Sequence, residues 1–180
     1  PQNPKTPSWV SVIIMASNGW DSYVFNIQNK YNGKTANYSI NNVCFAAAVY
    51  GLDGTPWATS ADWAGLKEYE FQLEQDDGSF QPCKVNEWQC VMGAANGNRK
   101  PCAAGIRFLN TKFMFISSDD GVTYLSRQGG GGACICKTKQ TILIGCWDKN
   151  IVMSNKQMQN AGDCNDMVER VAKFLKEQNF

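Results

Sequence analysis

The sequence predicts an α+β fold in which a central antiparallel sheet is flanked by helices. Apolar residues recur at helical spacing from Trp20 onward, and an amphipathic pattern follows residue 163. Between them, residues 105–147 contain short apolar segments separated by tight turns. Such short links require antiparallel neighbours. We expect residues 1–180 to form one domain.

The first helix is predicted by apolar residues at positions i, i+3, i+4, i+7 and i+11, which are Trp20, Tyr23, Val24, Ile27 and Tyr31. Asn32-Gly33 ends it. The apolar run 43–51 and the turn dipeptide Asp53-Gly54 then predict a β-hairpin, with Trp57 on the returning strand.

A second helix is predicted over residues 60–71, because Ser60 can cap a helix and Trp63, Leu66 and Tyr69 follow at helical spacing. Residues 74–104 are polar and contain several turn dipeptides. We expect this segment to be an insertion with little regular structure of its own.

Five strands are predicted next, over residues 105–109, 112–117, 122–126, 133–138 and 141–147. The sequence from Gly131 to Thr138 is comparable with a phosphate-binding P-loop, but Cys136 precedes Lys137 and the segment has strand character. We therefore interpret the glycine run 129–132 as a hairpin connection that needs positive φ.

The last helix is predicted to be capped by Asp163 or Asn165. One stripe of this helix carries Met167, Val171, Phe174 and Gln178, with Val168 and Leu175 beside it.

Charge and composition exclude several function classes. Lys and Arg total 17 against 16 Asp and Glu, so the formal charge of +1 argues against a strongly basic nucleic-acid binder. The chain has no histidine, which removes Ser-His-Asp and Cys-His nucleophiles and imidazole zinc ligands. The pairs Asp76-Asp77 and Asp119-Asp120 lie in turn sequences. We predict no catalytic residue, metal or cofactor.

The apolar runs and the cysteines predict the cellular compartment of the protein. The longest apolar run, residues 10–16, is shorter than the about 20 residues that span a bilayer, so we expect a soluble, intracellular protein. The eight cysteines include no Cys-x-x-Cys, and we interpret them as reduced and structural, with a disulfide framework as the alternative. The sequon at Asn37 matters only in a secreted protein.

Aromatic residues are the candidate functional groups, and they are Trp20, Tyr23, Trp57, Phe174 and Phe180. Two interpretations stay open: the rings fill the core, or they form a binding surface where the chain ends pack together.

The chain resembles the profilin family. The resemblance begins with Trp20-Asp-Ser-Tyr23-Val and the run from Ala46 through Gly-Leu-Asp-Gly-Thr-Pro-Trp57. It continues through Thr111-Lys112-Phe113, the glycine loop, Lys137-Thr138 and the segment from Cys164 to Phe180. These pieces cover about two-thirds of the chain in family order. Ser8-Trp9 is a rival start, but Val12 would then replace the family's tyrosine.

The resemblance implies a sheet with the N- and C-terminal helices side by side on one face, a helix on the other, and an aromatic groove for proline-rich ligands. It implies groove positions at Trp20, Tyr23, Trp57, Phe174 and Phe180. Polyproline II is already extended, so it loses little entropy when it docks on flat rings.

The resemblance also implies a second surface, which binds monomeric actin through Lys112, Phe115, Arg127, Lys137, Asn165 and Glu169. Ser117, Leu125 and Gln128 depart from it, because many relatives carry basic residues there. The charge of +1 argues against the family's binding of phosphoinositides, which needs clustered basic residues.

The leading hypothesis is a cytoplasmic, cytoskeletal, non-enzymatic protein that binds actin monomers, docks proline-rich proteins such as formins and regulates filament assembly. The alternative is an adaptor that keeps the peptide groove with weak or no actin binding. A third hypothesis, an enzyme with Cys134 or Cys136 as nucleophile, lacks a histidine to activate the thiol. Residues 1–18, 74–104 and 150–161 have no counterpart in typical profilins and are interpreted as an extension and two insertions.

Overall fold

A computed structural model describes residues 19–31 and 38–180 of the chain. Within these ranges it contains the helices α1 (Asp21–Gln28), α2 (Glu87–Ala95) and α3 (Ala161–Glu177). The strands are β1 (Asn29–Tyr31), β2 (Tyr38–Asn41), β3 (Ala46–Gly51), β4 (Pro56–Thr59), β5 (Glu68–Glu74), β6 (Phe80–Asn86), β7 (Ile106–Phe108), β8 (Thr111–Asp119), β9 (Val122–Arg127), β10 (Gly131–Lys137) and β11 (Thr141–Asp148).

Seven strands form the central antiparallel sheet, in the order β4-β3-β11-β10-β9-β8-β7. Helices α1 and α3 share one core layer with one face of the sheet, and α2 packs in a second layer that includes residues of the other face. The pairs β1-β2 and β5-β6 form two small separate sheets. The predicted α+β fold is confirmed, with the first and last helices together on one face.

A glycine on β11 brings both helices close to the sheet. A Cβ atom built on Gly145 would lie 2.5 Å from Val168 Cγ2, 3.1 Å from Cys44 Sγ and 3.2 Å from Ile27 Cγ2. Ile27 belongs to α1 and Val168 to α3, and both are fully buried. The absence of a side chain at this position therefore lets both helices pack directly on the strand.

The first helix is shorter than predicted. It ends at Gln28, and residues 29–31 form β1 instead of a last helical turn. The Asn29 side chain donates to the Phe25 carbonyl at 2.8 Å and accepts from the Asn42 backbone at 3.3 Å. The pairing of β1 with β2 thus overrides the helical periodicity. The predicted end at Asn32-Gly33, the sequon residue Asn37 and residues 1–18, with the rival start at Trp9, lie outside the described residues.

The prediction of a helix over residues 60–71 was wrong. Ser60 exchanges hydrogen bonds with Ala47 of β3, so its hydroxyl accepts from a strand instead of capping a helix. Gly65 has a φ of +79°, which interrupts helical geometry. From residue 68 the exposure alternates with period two, which is the pattern of a strand.

The prediction of little regular structure over residues 74–104 was also wrong, because β6 and α2 lie there. Asn86 caps α2 by accepting from the Gln89 backbone at 2.8 Å. The fully buried Glu87 accepts from the backbone N–H groups of Lys67 and Asn110, at 3.0 and 2.9 Å. This carboxylate therefore ties α2 to both neighbouring segments.

The meander of five strands is confirmed, and Gly129 and Gly130 of its glycine run have positive φ as predicted. Asp77 accepts from the Ser79 backbone at 2.9 Å, as expected for a turn.

Helix α3 begins earlier than predicted, because the residue that caps it is Asn160, which accepts from the Asp163 backbone at 2.9 Å. The eight cysteines are free thiols, and seven of them are buried.

We predict that Gly145→Ala lowers the free energy of unfolding by about 1–3 kcal/mol, because the new methyl group overlaps packed side chains. Chemical denaturation would measure the change. The double variant Gly145→Ala, Val168→Ala is the control, and it should lose less stability than the sum of the two single variants, because it removes the nearest atom. Strict additivity would contradict the proposed contact.

Candidate functional site

Trp20, immediately before α1, is at the centre of an aromatic cluster. Its ring centroid lies 4.5 Å from that of Trp57, 5.2 Å from Tyr23 and 5.4 Å from Phe180. Phe174 stacks on Tyr23 at 6.3 Å. These distances are typical of favourable aromatic pairs. The structure therefore brings all five sequence-predicted rings into one cluster.

The five rings differ in exposure, which separates the two interpretations left open by the sequence. Tyr23 and Phe174 are 1% and 7% exposed, so they belong to the core. Trp20, Trp57 and Phe180 are only partly buried and pack against that core. We call these three residues the aromatic slot, with Tyr23 and Phe174 beneath it.

Each ring of the slot is held by local structure. Gly51 leaves room for Trp57, because a Cβ atom built there would lie 2.9 Å from the indole nitrogen. The Phe180 backbone accepts from the Lys139 backbone at 3.2 Å and donates to the Leu175 carbonyl at 2.9 Å.

The Trp20 indole N–H is buried without a hydrogen-bond partner among the described residues. An unpaired buried donor costs about 1–3 kcal/mol, and a ligand could accept from this atom only if the packing around Trp20 opened.

Burial raises the pKa of Tyr23 to about 12. The ring is neutral at physiological pH and contributes apolar area to the floor of the slot. Near the start of α3, Tyr124 of β9 donates to Glu169 at 2.7 Å, and burial together with this carboxylate raises the pKa of Tyr124.

The second predicted set divides between the two faces of the sheet. Strand alternation places Lys112 on the face that carries Met114 and Tyr124, where Asn165 and Glu169 project from the start of α3. We call this surface the β8–β9–α3 face. Phe115 and Arg127 lie on the opposite face, where Phe115 packs against the core layer of α2 and the Arg127 guanidinium lies 5.7 Å from the Phe45 ring.

Lys137 also belongs to the α2 side, because its ammonium donates to the Asn96 side chain at 2.6 Å. Arg127 pairs with Asp148, and Leu125 is buried in the α2 layer. Lys112, Asn165 and Glu169 therefore lie on the β8–β9–α3 face, and the other three residues of this set lie on the far side of the sheet.

Sequence reasoning missed two residues of the β8–β9–α3 face. Met114 and Ile116 on β8 are 54% and 59% exposed, although both are large and apolar. The signal was present in the sequence FMFI, which is apolar at consecutive positions and so offers an apolar side chain to both faces of a strand. Alternation alone does not tell which of the two faces is covered.

Comparison with known proteins agrees with this geometry. The Profilin family model matches residues 18–180. The profilin of Tetrahymena pyriformis is 32% identical over 170 residues, covering 90% of this chain and 99% of that protein. The chain belongs to the profilin family.

Solved profilins share the fold. Acanthamoeba castellanii profilin IA has a TM-score of 0.58 and 24% identity, and it covers 90% of this chain and 100% of its own. Profilin II of the same organism has a TM-score of 0.52 and 25% identity, over 77% of this chain and 89% of its own. Mouse profilin IIa, solved with a double repeat from the FH1 domain of mDia1, has a TM-score of 0.53 and 16% identity, over 91% and 100%.

The profilin family is a family of non-enzymatic actin-binding proteins. In this member, Cys134 and Cys136 are fully buried, and the hydrogen bond between them together with burial raises the pKa of Cys134, so neither thiol is positioned to act as a nucleophile. Among residues 19–31 and 38–180, no group of three cysteine or carboxylate side chains could hold a metal ion. The described helices include none that is long and apolar enough to cross a membrane.

We predict that the free energy of unfolding of this profilin falls as the pH rises from about 10 to about 12, and that ionisation of Tyr23 causes part of this fall. In that window the unfolded chain, with an ordinary tyrosine pKa of about 10, releases a proton that the folded chain retains, and the folded state is disfavoured as pH rises. Denaturation at a series of pH values should show a shallower decline for Tyr23→Phe. An identical pH dependence in both proteins would mean that Tyr23 ionises normally in the folded chain.

Proposed function

We propose that this profilin-family protein binds monomeric actin on the β8–β9–α3 face and proline-rich segments in the aromatic slot, and that it thereby regulates actin filament assembly in the cytoskeleton. The observation that carries the proposal is the convergence of Trp20, Trp57 and Phe180, from distant parts of the sequence, into one partly exposed aromatic surface.

The slot suits a polyproline II ligand. Such a ligand has no internal hydrogen bonds, so its carbonyl groups are free to accept from any donor exposed at the slot. Flat rings provide contact area to the pyrrolidines at small entropic cost, because the ligand is already extended. Phe180 offers stacking area without a hydroxyl donor, so at this ring we expect recognition to depend on shape.

The β8–β9–α3 face suits a protein partner. It combines the exposed apolar side chains of Met114 and Ile116 with charged groups at Lys112 and Glu169. An apolar centre with a charged rim is the usual anatomy of a protein–protein interface. The charges at the rim steer association, and the apolar centre supplies affinity.

Regulation of assembly would follow from differential binding. If this face contacts an open form of actin more strongly than a closed form, binding shifts actin toward the open form and accelerates nucleotide exchange. Proline-rich proteins such as formins, held in the aromatic slot at the same time, would receive the bound actin. The mouse profilin solved with an FH1 repeat motivates this choice of peptide partner.

Phosphoinositide binding is not part of the proposal, because the net charge is only +1 and two basic side chains near the start of α3 are already paired with carboxylates. Lys30 contacts Asp163 at 2.6 Å, and Arg170 contacts Asp166 at 2.8 Å. Acidic head groups would have to displace these partners.

We also propose that residues 1–18 are an extension of the profilin domain, and that 74–104 and 150–161 are insertions. Two hydrogen bonds join the second insertion to β2. The Asn41 backbone accepts from the Ser154 backbone at 3.2 Å and donates to the Ser154 hydroxyl at 2.8 Å. It lies directly before α3 and so adjoins the actin-binding surface proposed here.

The slot assignment predicts that Trp20→Ala weakens binding of a proline-only peptide by about tenfold or more, as expected for a central aromatic anchor. Isothermal titration calorimetry would measure it without relying on tryptophan fluorescence. Phe25→Ala is the matched control, because Phe25 is an aromatic residue of α1 that is 45% exposed and outside the slot. Equal affinities of the Trp20 and Phe25 variants would contradict the assignment.

For the second surface, Lys112→Glu should weaken binding to fluorescently labelled monomeric actin by about tenfold, through charge reversal at an interface rim. Lys84→Glu is the control, because Lys84 is an exposed lysine on the β5–β6 hairpin. If the unmodified protein fails to bind actin but binds the proline peptide, the adaptor alternative replaces the proposal.

A further inference from the structure

Two thiols lie side by side outside both proposed surfaces. Cys90 is on α2 and Cys102 is in the loop that follows it, and their sulfur atoms are 3.8 Å apart. Both thiols point toward the Gly105 carbonyl, at 3.7 Å from Cys90 and 3.1 Å from Cys102. Cys90 is 1% exposed, whereas Cys102 is partly exposed.

A glycine and a proline bring the two thiols together. A Cβ atom built on Gly93 would lie 2.5 Å from the Cβ atom of Pro101, so the loop packs directly on the helix at this point. Gly93 follows Cys90 by three residues on α2 and therefore shares its face. Pro101 directly precedes Cys102. The proximity is thus built into the contact between helix and loop.

Accessibility distinguishes this pair from the other close cysteines. The sulfur atoms of Cys44 and Cys164 are 3.0 Å apart, but both residues are fully buried. Cys134 and Cys136 are 3.9 Å apart, on one strand and equally buried. An oxidant in solution reaches a thiol only where its sulfur can be approached.

We propose that Cys90 and Cys102 are a redox-active dithiol that forms a reversible intramolecular disulfide by exchange with a small-molecule disulfide such as glutathione disulfide. The Cys102 thiolate attacks one sulfur of glutathione disulfide, which forms a mixed disulfide and releases one glutathione thiolate. Cys90 then attacks the Cys102 sulfur and releases the second glutathione, which takes up the Cys90 proton. The two protein thiols are oxidised and one glutathione disulfide is reduced to two glutathione molecules.

The surroundings of the two thiols indicate that Cys102 reacts before Cys90. Burial raises the pKa of Cys90 to about 11, so this thiol is protonated at neutral pH. It reacts second, after Cys102 has formed the mixed disulfide. Cys102 is in a segment without helix or strand, and its side chain can turn toward Cys90. Closing the gap from 3.8 Å to the disulfide length of about 2.05 Å takes a shift of under ~2 Å.

The disulfide would fix the loop between α2 and β7. At its start, Asn96 accepts from Lys137, and the Arg99 guanidinium lies 5.3 Å from the Phe115 ring. The cross-link therefore restrains a segment that contacts two residues of the central sheet. The proposal does not depend on actin or peptide binding.

The test is oxidation of the reduced full chain in glutathione buffers of increasing oxidised fraction, followed by alkylation, trypsin digestion and mass spectrometry. Cleavage after Lys84, Arg99 and Arg107 places Cys90 and Cys102 on separate peptides, and Cys83 on a third. We expect one product, in which the peptides of Cys90 and Cys102 are joined and which dithiothreitol reverses. A bond at Cys83, Cys44 or Cys164 instead, or a chain that stays fully reduced, would overturn the proposal.

Variants test the order of the steps. Cys90→Ala should accumulate glutathione on Cys102, because the resolving thiol is missing, and Cys102→Ser should stay reduced at Cys90. Cys83→Ser is the control and should form the disulfide at an unchanged rate. Gly93→Ala should slow closure severalfold by pushing Pro101 away from α2. Persistent glutathione on Cys102 in the unmodified chain would show that the pair does not close and would refute the dithiol.

Discussion

The close packing of α1 and α3 against β11 is the constraint on which the rest of the structure depends. Gly145 has no side chain, so Ile27 and Val168 fill the space against the strand. Because both helices are held there, the residue before α1 and the residues after α3 meet at the same edge of the molecule. Trp20 and Phe180 contact each other for this reason, with ring centroids 5.4 Å apart. The aromatic slot is therefore a consequence of backbone packing.

Helix α3 contributes to both surfaces, at opposite ends. Asn165 and Glu169 project from its first turns, and Phe174 lies beneath the slot near its other end. At about 1.5 Å per residue, Asn165 and Phe174 are separated by about 14 Å along the axis. The two proposed surfaces share no residue. Lys30 fixes the start of the helix by pairing with Asp163, which lowers the pKa of that carboxyl.

Local sequence patterns predicted the elements whose contacts are local. The meander has turns of only two or three residues, and α3 has an amphipathic stripe, so both were found from spacing alone. Residues 60–71 were misassigned because Ser60 pairs with Ala47 and Trp63 donates to the Tyr50 hydroxyl at 2.9 Å. These partners lie on a strand that spacing cannot show. Helix α2 was missed for a related reason, since buried Glu87 is a polar residue in a core position whose carboxylate is satisfied by distant backbone groups.

The two surfaces were predictable to different degrees for a physical reason. Aromatic rings at the chain ends form a recognisable set, although sequence could not separate the buried Tyr23 from the partly exposed Trp20, because both fall on one helical stripe. The sheet surface is harder, since β8 is apolar toward both faces. Helix α3 packs on β10 and β11 and does not extend over β8, so Met114 and Ile116 stay exposed. An apolar sheet face left uncovered by its own helix is the feature that marks an interaction surface, and it depends on where the helix ends relative to the sheet, which only the assembled fold determines.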